Sequence, residues 1–286
     1  MILYLIQIKR NMETIKTILV PTDFSEVAKN ALIYAVNMAK EIKAKLIVLH
    51  VYYIPVLTGT KPYVLSPDLL INTTDLINQQ LHEIELDNPE INQVKHEFLS
   101  MPGYTAAEIN IAAKNQKADL IIMGTLGASG LQELLVGSNT ASVIEEAFCP
   151  VLAIPVKAKF KSIKNIAFAY DHDAISVPLE FKTLIPLAES FKAEISIFHV
   201  KTYDKELISE EKESPRLQYE QPVKHTYTSF YEEDIEEGIN NFIQAKNIDI
   251  LAMMPRKHNL FYKLFKSSLT KKMAFHTKIP LLAILD

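Results

Sequence analysis

The chain has 286 residues, 34 acidic and 30 basic side chains, and a formal net charge of −4. Apolar residues make up 48% and charged residues 22%, which is ordinary for a soluble globular protein and gives no global argument for nucleic acid or a membrane. Cys149 is the single cysteine, so an intrachain disulfide is excluded and a reducing cytoplasm fits; no run reaches the roughly 18 apolar residues of a membrane span.

In chain order, Met1 to Ile8 is apolar but short, and it lacks the small-residue cleavage site of a signal peptide. Met12 begins METIKTILVPTDFS and reads as a start site, with residues 1–11 as a short extension. Strands are predicted near 17–22, 45–51, 93–99, 119–123 and 150–154, and helices near 25–42, 68–86, 104–116 and 138–147. Runs such as LIVLHV and LIIM are apolar throughout, as expected of strands covered on both faces. The segment from Tyr53 to Pro67 reads as a long loop over the carboxyl ends of the strands.

The second half repeats the first. KTILVPTDFSEVAKNALIYAVNMAKEIKAKLIVLHV matches KNIAFAYDHDAISVPLEFKTLIPLAESFKAEISIFHV, so Asp23 corresponds to Asp171 and His50-Val51 to His199-Val200. The ends match as well, with Asp119 on Asp249, Met123 on Met253, Ser138 on Ser268 and Pro150 on Pro280. Alternating strands and helices imply two tandem α/β domains, each a doubly wound, mainly parallel five-stranded sheet flanked by helices. The expected boundaries are 12–156 and 163–286, joined around residues 156–163. The last strands, near Val151–Ile154 and Leu281–Ile284, are expected to pair antiparallel within the chain, giving an intramolecular pseudo-dimer. A further homodimer stays open.

Four of the seven glycines, Gly124, Gly127, Gly130 and Gly137, cluster between an apolar strand and a helical pattern. A glycine-rich turn opening a helix presents free N–H groups to an anion, so the cluster predicts a phosphate cradle. These residues resemble the universal stress protein family in its tandem form. The family's nucleotide-binding members carry G-x2-G-x9-G-[S/T], which Gly124, Gly127, Gly137 and Ser138 fit without a gap. The resemblance also covers Pro21-Thr22-Asp23, the His-Val strand end and CPVLAIP. It implies an adenine nucleotide alpha hydrolase-like fold, and ATP or a related adenine nucleotide in the first domain, with Mg as an optional companion. By position, Asp23, with Pro21 and Thr22, would face adenine and ribose, Val51 would contact the base, and Met123 would line the pocket. Gly124, Gly127, Gly137 and Ser138 would hold ribose and phosphates, and Asn139 would add a main-chain donor. Leu126 departs from the polar or basic residue of many binders. In the second copy Met254, Lys257 and Ser267 replace the three glycines and only Ser268 survives, so that copy is expected to be degenerate for nucleotide.

Simpler readings stand beside these. Asp23 also suits an Asx turn or a helix cap beside Ser25. His50 and His199 read as a shared packing pair, Asp171-His172-Asp173 as a capped turn, and Cys149 as a small buried apolar residue. The stretch from Ile250 to Leu285 has no acidic residue and carries seven basic ones from Arg256 to Lys278, a solvated face or an anionic partner's surface. Glu232 to Glu237 opens a helix, where negative charge is favourable. No catalytic constellation is visible. The leading expectation is a cytoplasmic ATP-binding stress-response sensor or regulator with an unknown protein partner. The alternatives are an interaction module without nucleotide and a slow ATPase.

Overall fold

A computed structural model describes residues 14–53, 67–125, 138–169, 177–202, 223–254 and 278–284. The first half runs β1 (Thr17–Pro21), α1 (Glu26–Ile42), β2 (Lys45–Tyr52), α2 (Pro67–Asp87), β3 (His96–Pro102), α3 (Thr105–Asn115), β4 (Leu120–Gly124), α4 (Ser138–Glu145) and β5 (Val151–Ile154). The second half runs β6 (Asn165–Ala169), α5 (Val177–Phe191), β7 (Glu194–Lys201), β8 (His225–Tyr231), α6 (Ile235–Ala245), β9 (Ile250–Met253) and β10 (Leu281–Ala283). The third strand begins three residues later than its expected position at 93, because Pro89–Gln93 forms a short 3-10 turn that buries Ile91.

All ten strands join one sheet in the order β3-β2-β1-β4-β5-β10-β9-β6-β7-β8. Every pair is parallel except β5–β10 at the centre, where Leu281 faces Ala153 and Ala283 faces Val151. The antiparallel contact expected between the closing strands is therefore present. It covers one edge strand of each half that would otherwise be open.

Helices cover both faces. Ala31, Leu32, Ala35 and Met38 of α1, with Leu81 of α2 and Leu184 of α5, pack on one face. Ile109 and Ala112 of α3, Val143 of α4 and Phe242 of α6 pack on the other. This is why the strands are apolar without alternation: Ile18, Leu19 and Val20 are all fully buried. Each such side chain contributes about 2 kcal/mol of burial. Local chemistry sets the ends of α1. Ser25 accepts a hydrogen bond from Ala28 N, Glu26 sits in the first turn, and Lys43 closes the helix in a left-handed conformation.

The repeat extends to individual hydrogen bonds. Asp119 Oδ2 accepts from Lys16 N and Thr17 N at 2.8 and 2.9 Å. Asp249 Oδ2 accepts from Lys164 N and Asn165 N at the same two distances, 2.8 and 2.9 Å. Each carboxylate therefore fixes the start of the first strand of its own half. The segment joining the halves is packed rather than loose. Asn30 Nδ2 donates to Pro155 O and Ala158 O at 3.1 Å each, Phe160 meets Tyr34 edge-on at 5.2 Å, and Ser162 Oγ donates to Glu41.

Candidate functional site

In the first half the chain leaves β1 for β2 on one side, while β4 pairs with β1 on the other. The strand order reverses there, and the carboxyl edge of such a switch point is where open α/β sheets bind ligands. Pro21 ends β1 and is buried, as is Thr22. Thr22 N donates to Leu49 O at 2.8 Å. His50 Nδ1 donates to Thr22 O at 2.8 Å, since a carbonyl can only accept. Thr22 Oγ1 accepts from Phe24 N at 3.1 Å, and Asp23 Oδ1 accepts from Ser25 N at 3.0 Å. Phe24 takes a φ of 63°, a left-handed conformation rare outside glycine, and its ring lies 4.5 Å from the His50 ring. The turn is thus held from four directions. Asp23 stands exposed on it with one oxygen in the Asx-type bond and, among the described residues, the other unengaged.

Val51 lies half-buried near the end of β2, opposite Met101 of β3. Met123 is buried beneath α3 and α4, and Gly124 ends β4. Gly124 has a packing reason that the sequence does not reveal. A Cβ there would meet Val27 Cγ1 at 2.4 Å and Val27 O at 3.0 Å, so α1 crosses too closely for a side chain. Thr140 Oγ1 donates to Gly124 O at 3.0 Å and ties the first turn of α4 to the strand end. Ser138 and an exposed Asn139 open that helix. Its N-terminal amides thus lie beside the end of β4, where the dipole favours an anion.

Seven of the ten expected site residues stand at or beside the strand ends and the helix start on this edge: Pro21, Thr22, Asp23, Val51, Met123, Gly124 and Asn139. Ser138 joins them through its backbone position, while Gly127 and Gly137, with Leu126 and Gly130, lie outside the described residues. Two contributors were not singled out from sequence. One is the His50 clamp on Thr22. The other is Thr125, only 1% exposed, whose N donates to Ile154 O at 3.1 Å but whose Oγ1 has no hydrogen-bond partner among the described residues. An unpaired buried hydroxyl is costly and suits a place where a ligand group completes the bonding.

The corresponding edge of the second half is built differently. Buried Met254 stands at the position of Gly124. Phe198, Phe230 and Phe242 stack on the α6 face, with centroids 4.2 Å apart for Phe198–Phe242 and 5.8 Å for Phe230–Phe242. Asp171, Lys257, Ser267, Ser268 and the basic residues Arg256 to Lys272 lie outside the described residues. Among the described residues no group of three His, Cys, Asp or Glu side chains is placed to hold a metal ion, and no helix is long and apolar enough to cross a membrane.

A model of the universal stress protein family matches residues 14–155. A universal stress protein of Methanocaldococcus jannaschii is 36% identical over 146 residues, covering 51% of this chain and 85% of that protein. Another from Thermus aquaticus is 34% identical over 145 residues, covering 49% of this chain and 98% of that protein. The crystal structure of a universal stress protein from Archaeoglobus fulgidus superposes with a TM-score of 0.64 at 18% identity, over 94% of this chain and 96% of that one. That last likeness extends the fold across both halves.

Proposed function

Because the chain belongs to the universal stress protein family, we propose that it is a cytoplasmic sensor or regulator that binds ATP or a related adenine nucleotide at the carboxyl edge of its first half. The observation that carries this reading is the convergence of the Asp23 turn, Val51, the Met123–Gly124 strand end and the first turn of α4 at one switch point. Asp23, with Pro21 and Thr22, and Val51 take the nucleoside. Met123 lines the pocket beneath it. Gly124, Gly127, Gly137, Ser138 and Asn139 take ribose and phosphates, with Mg as a companion of the phosphates. The fit is supported by an exposed carboxylate at the nucleoside end and, at the phosphate end, a Thr125 hydroxyl with no partner among the described residues.

In this reading the chain consists of two domains, 12–156 and 163–286, and only the first binds nucleotide. Met254 at the position of Gly124 and the Phe198–Phe230–Phe242 stack support a second domain kept for architecture or for a protein partner. The test is mass spectrometry of ligand released from freshly purified protein. An adenine nucleotide is expected. Protein that releases none and binds none when ATP is added contradicts the reading and favours an interaction module without nucleotide.

A further inference from the structure

Two tyrosines beside this site are largely exposed and, among the described residues, their rings meet only each other. Tyr53 is 64% exposed and Tyr104 is 77% exposed, although large rings are ordinarily covered. Their centroids are 6.3 Å apart and their planes are tilted by 50°. The backbone sets this spacing. Parallel pairing of β2 with β3 runs as far as Tyr52 opposite Pro102, and Gly103 N then donates to Tyr52 O at 2.9 Å. That bond brings the next residues, Tyr53 and Tyr104, side by side. Gly103 makes the turn with a φ of 148°, and a Cβ there would lie 2.5 Å from Glu108 Oε1, so the position requires glycine.

The pair lies on the side of the sheet that carries the candidate site. Val51 and Met101 pack on the α3 and α4 face. Tyr53 follows the last residue of β2 and stands two residues, about 7 Å, beyond Val51 along the chain. Tyr104 occupies the position before α3, where its side chain makes no capping bond. The second half has no counterpart. Thr202 follows β7, and Asp234 holds the capping position of α6, accepting from Glu237 N.

We propose that Tyr53 and Tyr104 form a stacking platform for the planar heteroaromatic base of the ligand, at the nucleoside end of the site. This inference rests on the nucleotide reading above and adds to it the residues that select a base. Both rings are largely exposed and adjacent to each other, Tyr53 stands two residues beyond Val51, and an aromatic face stacks on any base. Two rings offer far less than the roughly 800 Å² per partner of a stable protein interface, so a base fits them better than a protein does.

The experiment titrates the full-length protein and its Tyr53→Ala, Tyr104→Ala and Tyr104→Phe variants with ATP, adenosine and inorganic tripolyphosphate by calorimetry. Each alanine variant is expected to weaken ATP and adenosine by the same factor, about tenfold, and the phenylalanine variant by less than about twofold. Tripolyphosphate affinity stays the same throughout. The chain contains no tryptophan, so tyrosine emission is directly visible, and adenosine should quench it less in Tyr104→Ala than in the native protein. Alanine variants with unchanged ATP and adenosine affinities overturn the platform and leave the nucleotide reading standing. Equal losses for tripolyphosphate also overturn it. A native protein that binds neither ATP nor adenosine overturns both.

Discussion

Replacing Gly124 with alanine separates two reasons for a glycine at the end of β4. The structure gives a packing reason: the added methyl would lie 2.4 Å from Val27 Cγ1, 3.0 Å from Val27 O and 3.2 Å from Val27 C. The first contact can be relieved only if the Val27 side chain turns, and a β-branched residue in a helix has little freedom to do so. The other two require α1 itself to retreat by a few tenths of an ångström. Overpacking of this kind costs about 1–3 kcal/mol, offset by about 0.4–1 kcal/mol from the lower entropy of the unfolded alanine chain. A net loss of about 1–2 kcal/mol is therefore expected, read as a lowered urea midpoint by circular dichroism. Val27→Ala removes the Cγ1 contact but leaves the carbonyl, so the double variant should recover part of the loss, with a coupling of about 1 kcal/mol. If Gly124→Ala proves as stable as the native chain, or the coupling is absent, the packing argument fails. A loss of ATP affinity at unchanged stability would instead assign the glycine to close approach of the ligand.

The remaining predictions address other parts of the same framework. Asp119→Ala and Asp249→Ala each strip two backbone N–H groups of a charged acceptor and should each cost about 2–4 kcal/mol, with faster hydrogen exchange at Thr17 in the first and at Asn165 in the second. Thr125→Val removes an unpaired buried hydroxyl at constant shape and should raise the stability of the ligand-free protein by about 1 kcal/mol; a fall in the urea midpoint would show that the hydroxyl is bonded. Burial pushes the Cys149 thiol up from 9.0 to about 12, with the Asp119 charge adding to the rise. The folded thiol then stays neutral while the unfolded one ionises, so this contribution to stability is complete below pH 9.0 and is lost between there and about 12. Stability, read from the urea midpoint, should accordingly fall more between pH 8 and pH 10 in the native chain than in Cys149→Ala, by about 1.4 kcal/mol.

Much of the architecture is legible because the repeat reports on itself. Asp119 and Asp249 align in sequence, and each accepts the same two bonds at the start of the first strand of its half. The closing strands read as two unsatisfied edges, and they pair with one another. The third strand starts later than the sequence predicts because apolar pattern alone does not distinguish an extended Ile91–Val94 from the 3-10 turn that Pro89 begins. Within the site, Pro21, Thr22, Asp23, Val51 and Met123 come from the family resemblance, and periodicity adds only that they stand at or beside strand ends. For Gly124 the sequence offers only the ligand-contact reading; its tight packing on Val27, a helix residue 97 positions earlier, spans a distance that no local pattern encodes. His50 was read as packing, and its ring does pack on Phe24, but its bond to Thr22 O depends on the β1–β2 register. Thr125 carries no sequence signal, since an unpaired hydroxyl is visible only once its surroundings are placed.

Calorimetric titration of ligand-stripped, full-length protein with ATP tests the central claim most directly. The account predicts saturation at about one nucleotide per chain, weakened for ATP and adenosine alike by Asp23→Ala and abolished by Gly127→Lys, which imitates the second copy at Lys257. Two equivalent sites per chain, or no binding at all, would contradict it.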